Sequence, residues 1–427
     1  MENHLSFKPE PLNPPTSTAP HVLVIGGGVT GLVTTWVLLD RGYRVTVMSK
    51  EWASYGSKQR LTSQIAGALW EFPPAVCGQH TDPISLHHSK VWCMIAYKIW
   101  DTIAADPDLS FASGVRMKKS AFFFPYRMEE NDEQYAKMLE IGKSGVRGFH
   151  HSSSLIKHYG IDSSYGCVDA YELLAPIIDT DQAISWLMGL TEKKGAEFVT
   201  KAVTDDIFQL EDELLQQFHA DVIVNATGLA GLQLAGDTSC YPIRGALLRV
   251  INDGSDFAKL DAALSISADA KHMHTTQESA NEIVFLVPRN DKILLVGGIS
   301  EPHQSELDHK LDSPIIRKMR ARAEAFIPRL KHARLDNEYP LAQGLRPFRR
   351  NNVRVERELR RHKGQSGAEG HATPTALKFS RIVHSYGQGG AGWSLSFGCA
   401  GNVLELVEQV LAGATPRSMS LKRERKL

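Results

Sequence analysis

The sequence predicts an α/β fold in which a nucleotide-binding domain, assembled from separated parts of the chain, is interleaved with a sheet-rich α+β domain. Three observations carry this expectation. An apolar run at 21–25 leads through a glycine cluster into helical spacing over 30–41 and then an alternating strand over 44–48, which is a βαβ start. A continuous apolar strand over 220–224 runs into a second glycine turn, NATGLAG at 225–231. A third glycine turn, YGQGGAGWS at 386–394, follows a strand over 380–385 and precedes a closing helix over 400–412.

The elements between these turns follow from periodicity. Residues 85–105 place Trp92, Ile95, Ile99 and Ile103 on one helical face, and 181–195 read as a second amphipathic helix ending in lysines and a glycine stop. Apolar runs over 246–251, 283–287 and 292–297 predict strands, the last two forming a hairpin around Arg289 to Asp291. Residues 361–377 lack periodicity and are rich in Gly, Ser, His and Pro, which predicts a loop. At 427 residues the chain exceeds one ordinary core. The boundaries that result are 21–80, 180–235 and 380–415 for the nucleotide domain and 81–179 with 236–379 for the second. A disordered leader (1–20, five prolines) and a basic tail (416–427) flank them.

Composition narrows the function class. Lys plus Arg and Asp plus Glu both number 48, so the formal net charge is zero and no nucleic-acid surface is indicated. Cys77, Cys93, Cys167, Cys240 and Cys399 are scattered with no CxxC pair, which argues against a disulfide framework, against a metal site, and for a reducing compartment. No apolar run approaches the roughly twenty residues of a membrane span, and the leader lacks the basic start and apolar core of a secretory signal. The end of the chain, Arg425-Lys426-Leu427, is an imperfect match to the tripeptide address of peroxisomal import, which prefers a small residue where Arg425 stands. A peroxisomal or a cytoplasmic location follows.

The first glycine turn carries the most specific chemistry. In VLVIGGGVTG, Gly26, Gly28 and Gly31 form GxGxxG between a strand and a helix, with Val29 and Thr30 opening that helix. Gly26 permits the tight turn, Gly28 lets a pyrophosphate approach the backbone, and Gly31 allows close helix packing, with the helix dipole favouring the anion. The next strand departs from the fingerprint: where a carboxylate normally grips the ribose the chain reads Met48-Ser49-Lys50, with Glu51 just beyond. Ser49 or Glu51 remains as a ribose acceptor and Lys50 as a phosphate neighbour. NAD and FAD both suit this motif, but three glycine turns spread over the chain suit the larger, extended cofactor.

Taken together, the motifs resemble the D-amino-acid oxidase family, as a divergent, fungal-like member. They are VIGGGVTGL, AGALW (66–70), ADVIVNATGLAG (220–231), YPIRGALLRV (241–250), VFLVPR (284–289), LLVGG (294–298), GLRPFRRNNVRVERE (344–358) and HSYGQGGAGWSLSFGCA (384–400). The resemblance covers the chain from His21 to about Val410 and implies a Rossmann-like FAD-binding domain beside a substrate domain. It implies oxidation of a small amine or amino acid by hydride transfer to FAD, giving an imine and then a keto acid, with oxygen converted to hydrogen peroxide. The partners it implies are that amine and oxygen, with a homodimer left open. By position in GLRP, Arg346 inherits the substrate-carboxylate clamp, and the Gly390 carbonyl the substrate amino group. Gly392, Trp393 and Ser394 fall at the flavin pyrimidine edge, and Gly389 is a further cofactor contact. Thr62, Ser63, Ala66, Gly67 and Leu69 match the flavin-lining segment, Val203 the adenine neighbour, and Thr227 with Gly228 a nucleotide contact. Two positions depart from the family. Phe285 stands where members carry a tyrosine that bonds the substrate carboxylate, and Ser300 where yeast-like members carry a second, which implies a changed substrate: a bulkier, esterified, N-substituted or cyclic amine, with His272 to Thr276 read either as an exposed loop or as replacement polar contacts.

Overall fold

The computed structural model describes residues 4–74, 82–266, 283–362 and 378–417. Cys77, the candidate contacts His272 to Thr276, the body of the expected loop (363–377) and the tail from 418 onward lie outside them.

The first sheet has six strands in the spatial order Arg354–Arg357, Ile382–Tyr386, Val222–Asn225, His21–Ile25 (β1), Arg44–Ser49 (β2) and Glu197–Thr200. All neighbours run parallel except the Arg354–Arg357 edge. β1 lies in the middle and every one of its residues is buried, so a continuous apolar run rather than alternation was its signature. Helix Val29–Asp40 (α1) follows β1 directly.

Among the described residues the second sheet has nine strands. In order they are Glu301–Pro302, Cys240–Ile251, Ile293–Gly297, Val284–Pro288, Ala263–Ile266, Val115–Phe124, Asp169–Ile178 and His150–His151, with Leu341–Arg349 also paired to Cys240–Ile251. The expected hairpin is present: Phe285 pairs with Gly297 and Pro288 with Leu294 across the Arg289–Lys292 turn. The base of the 361–377 loop is a short ribbon in which Arg361 pairs with Phe379.

Four expectations are corrected. The leader is not disordered from residue 4 onward, because Asp40, at the end of α1, anchors it. Its carboxylate accepts the backbone N–H groups of Ser6 (2.7 Å) and Leu12 (2.9 Å), the Trp36 indole (2.8 Å) and the Lys194 ammonium (2.8 Å). Both ends of the Asp40–Lys194 pair are wholly excluded from solvent, and Phe7 packs edge-on against Trp36. Removing one partner of such a buried pair costs about 3–5 kcal/mol, so the carboxylate that receives the leader's N–H groups is itself firmly held. The second correction is that Arg354–Arg357, assigned to the second domain, closes the edge of the first sheet, with Arg354 opposite Tyr386. The third is helix Pro83–Ala105. It packs with the nucleotide domain: Ile99, Trp100 and Ile103 share a core with Leu32, Val33 and Trp36 of α1 and Phe397 of the last helix. That last helix, Gly392–Leu411, starts eight residues earlier than its apolar spacing indicated, because its first turn is the glycine turn itself.

Candidate active site

A single cavity of about 700 Å³ runs from the glycine cluster after β1, past the second turn, to the third turn and the second sheet. Every residue expected at the site lines it except Gly31. Gly31 acts from behind: a Cβ there would lie 1.9 Å from the Gly26 carbonyl oxygen, so its bareness is what lets α1 press on β1. Gly26 takes a left-handed backbone (φ +126°) hard against the Ala226 carbonyl of the second turn.

The start of α1 is built for an anion. Its N-cap is Gly28, with no side-chain cap and no acidic residue in the first turn, so its amides face the cavity with little local competition. The Val29 N–H is the exception, donating to Ser63 Oγ (3.1 Å). The Ser63 carbonyl in turn accepts the Trp393 indole N–H (2.9 Å). Ser63 therefore joins the first glycine turn to the third. Beyond β2, Ser49 Oγ donates to the Glu51 carbonyl (2.7 Å), and Lys50 is well exposed and 3.6 Å from the Glu51 carboxylate.

The wall formed by 62–69 is fixed from outside the cavity. Thr62 Oγ1 donates to the Leu345 carbonyl (3.2 Å) on the strand that carries Arg346. Arg289, wholly buried, donates to the carbonyls of Ala66 (2.7 Å) and Ile178 (2.9 Å), and burial pushes its guanidinium down to about 10. Ala68 holds a left-handed conformation (φ 50°), a cost borne in the wall itself. Arg289 closes the VFLVPR motif, whose sequence alone assigns it no role at the site. Its signal was present as an arginine ending an otherwise apolar strand.

The second turn rests on a buried polar relay. The Thr227 hydroxyl and N–H both donate to Asn225 Oδ1 (2.8 and 3.2 Å), and the Asn225 amide lies 3.2 Å from His384 Nδ1. His384 Nε2 lies 3.2 Å from Glu358. Burial holds His384 down at about 4, and the hydrogen bonds from His384 and Arg360 hold Glu358 well below the ordinary carboxylate range despite its burial. The unfolded chain binds a proton on His384 near pH 6.5 that the folded protein refuses until about pH 4. This contribution to stability is therefore complete above 6.5 and drains as pH falls toward 4. His384→Gln is expected to flatten the fall of the thermal midpoint across that window. Equal slopes in wild type and variant would assign the acid loss to other groups.

At the far end, the arginine-rich stretch separates into distinct roles. Arg349 Nε donates to Asp237 (2.8 Å), which the Arg349 guanidinium, Ser239 and the Tyr386 hydroxyl together hold down at about 2 against the opposing effect of burial. Arg354 pairs with Glu356 (2.9 Å), and Arg350 is exposed. Arg346 alone of these faces the cavity, and no carboxylate lies within ion-pairing reach of it among the described residues. The Gly389 N–H donates to the Pro347 carbonyl (3.0 Å), tying the third turn to the residue beside Arg346. Phe285 lies against Gly297 and Gly67, so its ring fills the wall between the second sheet and the 66–69 segment. Ser300 and Gly390 also line this end, as do Ile283, Ile299 and Leu307. Gln388, not singled out from the sequence, is a buried lining residue. No helix among the described residues is long and apolar enough to cross a membrane.

Comparison with known proteins shows the family. The model of the FAD dependent oxidoreductase family matches residues 21–406. A D-amino-acid oxidase of Streptomyces coelicolor is 29% identical over 382 residues, 89% of this chain and 94% of that protein. A D-amino-acid oxidase of Dictyostelium discoideum is 27% identical over 395 residues, 92% of each chain. In fold, the chain is similar to glycine oxidase from Bacillus cereus (TM-score 0.62, 16% identity, 93% of this chain and 99% of that one). It is also similar to iminodiacetate oxidase from Chelativorans (TM-score 0.63, 13% identity, 94% and 98%).

Proposed function

The chain belongs to the FAD dependent oxidoreductase family and is an FAD-dependent enzyme acting on the carbon beside an amine nitrogen, and from that premise we propose that it oxidises a small amine bearing one anionic group, a D-amino acid or a close relative. The observation that carries the reading is Arg346, the cavity-facing guanidinium left without a carboxylate in a stretch whose neighbours Arg349 and Arg354 are paired.

The residues present suit FAD. The uncapped start of α1 borders one end of the cavity and suits a pyrophosphate, Thr227 and Gly228 border its middle, and the segment 389–394 borders its far end. FAD held by these residues would supply a hydride acceptor for the substrate carbon, with oxygen as the final oxidant and hydrogen peroxide as its product. The chain's own work is placement. Arg346 offers a forked pair of donors to a planar carboxylate, which fixes the substrate's rotation about that group. The Gly390 carbonyl accepts a hydrogen bond from the neutral amine. Ile283, Phe285, Ile299 and Leu307 exclude water around the reacting carbon, which protects the imine until release.

A second reading, a tailoring oxidation of a secondary or N-substituted amine, is favoured by Phe285 and Ser300. A phenyl face in place of a hydroxyl removes one donor to the carboxylate and adds an apolar contact beside the nitrogen. The test is anaerobic mixing of the yellow holoenzyme with D-amino acids, L-amino acids and N-methylated or cyclic amino acids. Bleaching by D-amino acids is expected. Bleaching by the secondary amines alone would favour the second reading, and no bleaching by any anionic amine would reject both.

A further inference from the structure

The guanidinium of Arg346 is held by an unusual neighbour. In the pairing of Leu341–Arg349 with Cys240–Ile251, Gly344 lies opposite Gly245 and Arg346 opposite Ile243. Residues two apart in a strand share a face, so Arg346 and Gly245 are diagonal neighbours on one side of the sheet. A side chain at 245 would occupy the ground between them. There is none, and a Cβ built on Gly245 would meet three atoms of the Arg346 guanidinium first: Nη1 and Nη2 at 2.5 Å and Cζ at 2.6 Å. Near-equal distances to three coplanar atoms mean that the guanidinium lies with its face on the Gly245 backbone. A strand side chain ordinarily stands off the sheet. Here it lies down, and one edge is fixed by donation from Nη1 to the Ile299 carbonyl (3.2 Å). A face pressed on backbone and one N–H committed to a carbonyl leave a single edge for the cavity.

We propose that Gly245 is a positioning residue for substrate binding: by lacking a side chain it serves as the platform on which the Arg346 guanidinium lies flat, and so sets the direction from which the substrate carboxylate is gripped. This rests on the reading of Arg346 as the anion clamp. An alanine methyl has no other place to go, because the three nearest atoms all belong to Arg346, so it would lift the guanidinium off the strand and away from Ile299. Gly245 has an ordinary backbone and needs no glycine for its φ, which separates this role from a folding requirement.

The experiment is a double-mutant cycle read on ligand binding. Holoenzymes carrying Gly245→Ala, Arg346→Lys, and both are titrated with benzoate, followed by the change in the flavin visible spectrum. Gly245→Ala is expected to weaken benzoate at least tenfold with unchanged FAD content. Arg346→Lys is expected to weaken it further, and in that background the alanine should cost less than twofold, since a lysine has no planar head to displace. Wild-type affinity in Gly245→Ala, or losses that simply add in the double variant, would overturn the platform while leaving the clamp standing. Unchanged affinity in Arg346→Lys would instead overturn the clamp, and the platform with it. Should Gly245→Ala yield no folded holoenzyme, Gly245→Ala/Arg346→Ala decides: recovery of the yellow protein supports the contact, and continued failure overturns it.

Discussion

Arg346→Met is expected to lower kcat/KM for an amino-acid substrate about a hundred- to a thousandfold, the equivalent of removing one partner from a buried hydrogen-bonded charge pair, about 2–5 kcal/mol. Both kinetic constants should move. KM rises because the carboxylate loses its counter-ion, and kcat falls because a substrate no longer fixed at one end presents its α-hydrogen less often in the reactive direction. Flavin content should not change, since among the described residues Arg346 bonds only the Ile299 carbonyl and none of the glycine turns. The same substitution at Arg349 would behave differently. That residue is spent on Asp237, so its loss should appear as a lower thermal midpoint with binding of small carboxylates largely intact. Steady-state kinetics beside flavin-to-protein ratios checks both. An Arg346→Met enzyme with wild-type KM would remove the arginine from the substrate site.

Gly31→Val is expected to produce protein largely without FAD. The new Cβ would sit 1.9 Å from a backbone oxygen that cannot rotate away, so α1 must withdraw from β1 and carry its N-terminal amides with it. Those amides form an anion site only while they point at one spot, so a shift of about an ångström forfeits most of the pyrophosphate contact. Gly189→Ala is the matching control. It too changes a glycine within a helix, but nothing lies within 4 Å of the added carbon, so full flavin content should be retained. The ratio of flavin absorbance to protein after purification measures the outcome. A Gly31→Val protein with a full complement of flavin would contradict the packing role.

The two substitutions also mark how differently the site was legible. Gly31 could be assigned from its neighbours in the chain, because a strand, a turn and a helix within thirty residues already state what geometry is needed. Arg346 could not. Five arginines crowd 346–357, and only alignment with GLRP chose among them. The structural distinction is that Asp237, more than a hundred residues away, takes Arg349 and that Glu356 takes Arg354. Gly245 was harder still, since its meaning lies in the diagonal of a pairing between strands a hundred residues apart.

By itself the sequence determined the elements and the cofactor turns: the apolar periodicity of β1, α1 and the Val284–Pro288 hairpin, and the three glycine clusters at strand ends. These are written locally, because backbone conformation and the face a helix or strand buries depend on residues a few positions apart. Only the tertiary structure decided that the leader docks on Asp40, that Arg354–Arg357 completes the first sheet, that Ser63 ties two turns together and that Arg346 lines the cavity while Arg349 and Arg354 are paired. Each of these depends on which charged or polar group meets which across long loops, and ion pairs and hydrogen bonds leave no period in the chain that forms them.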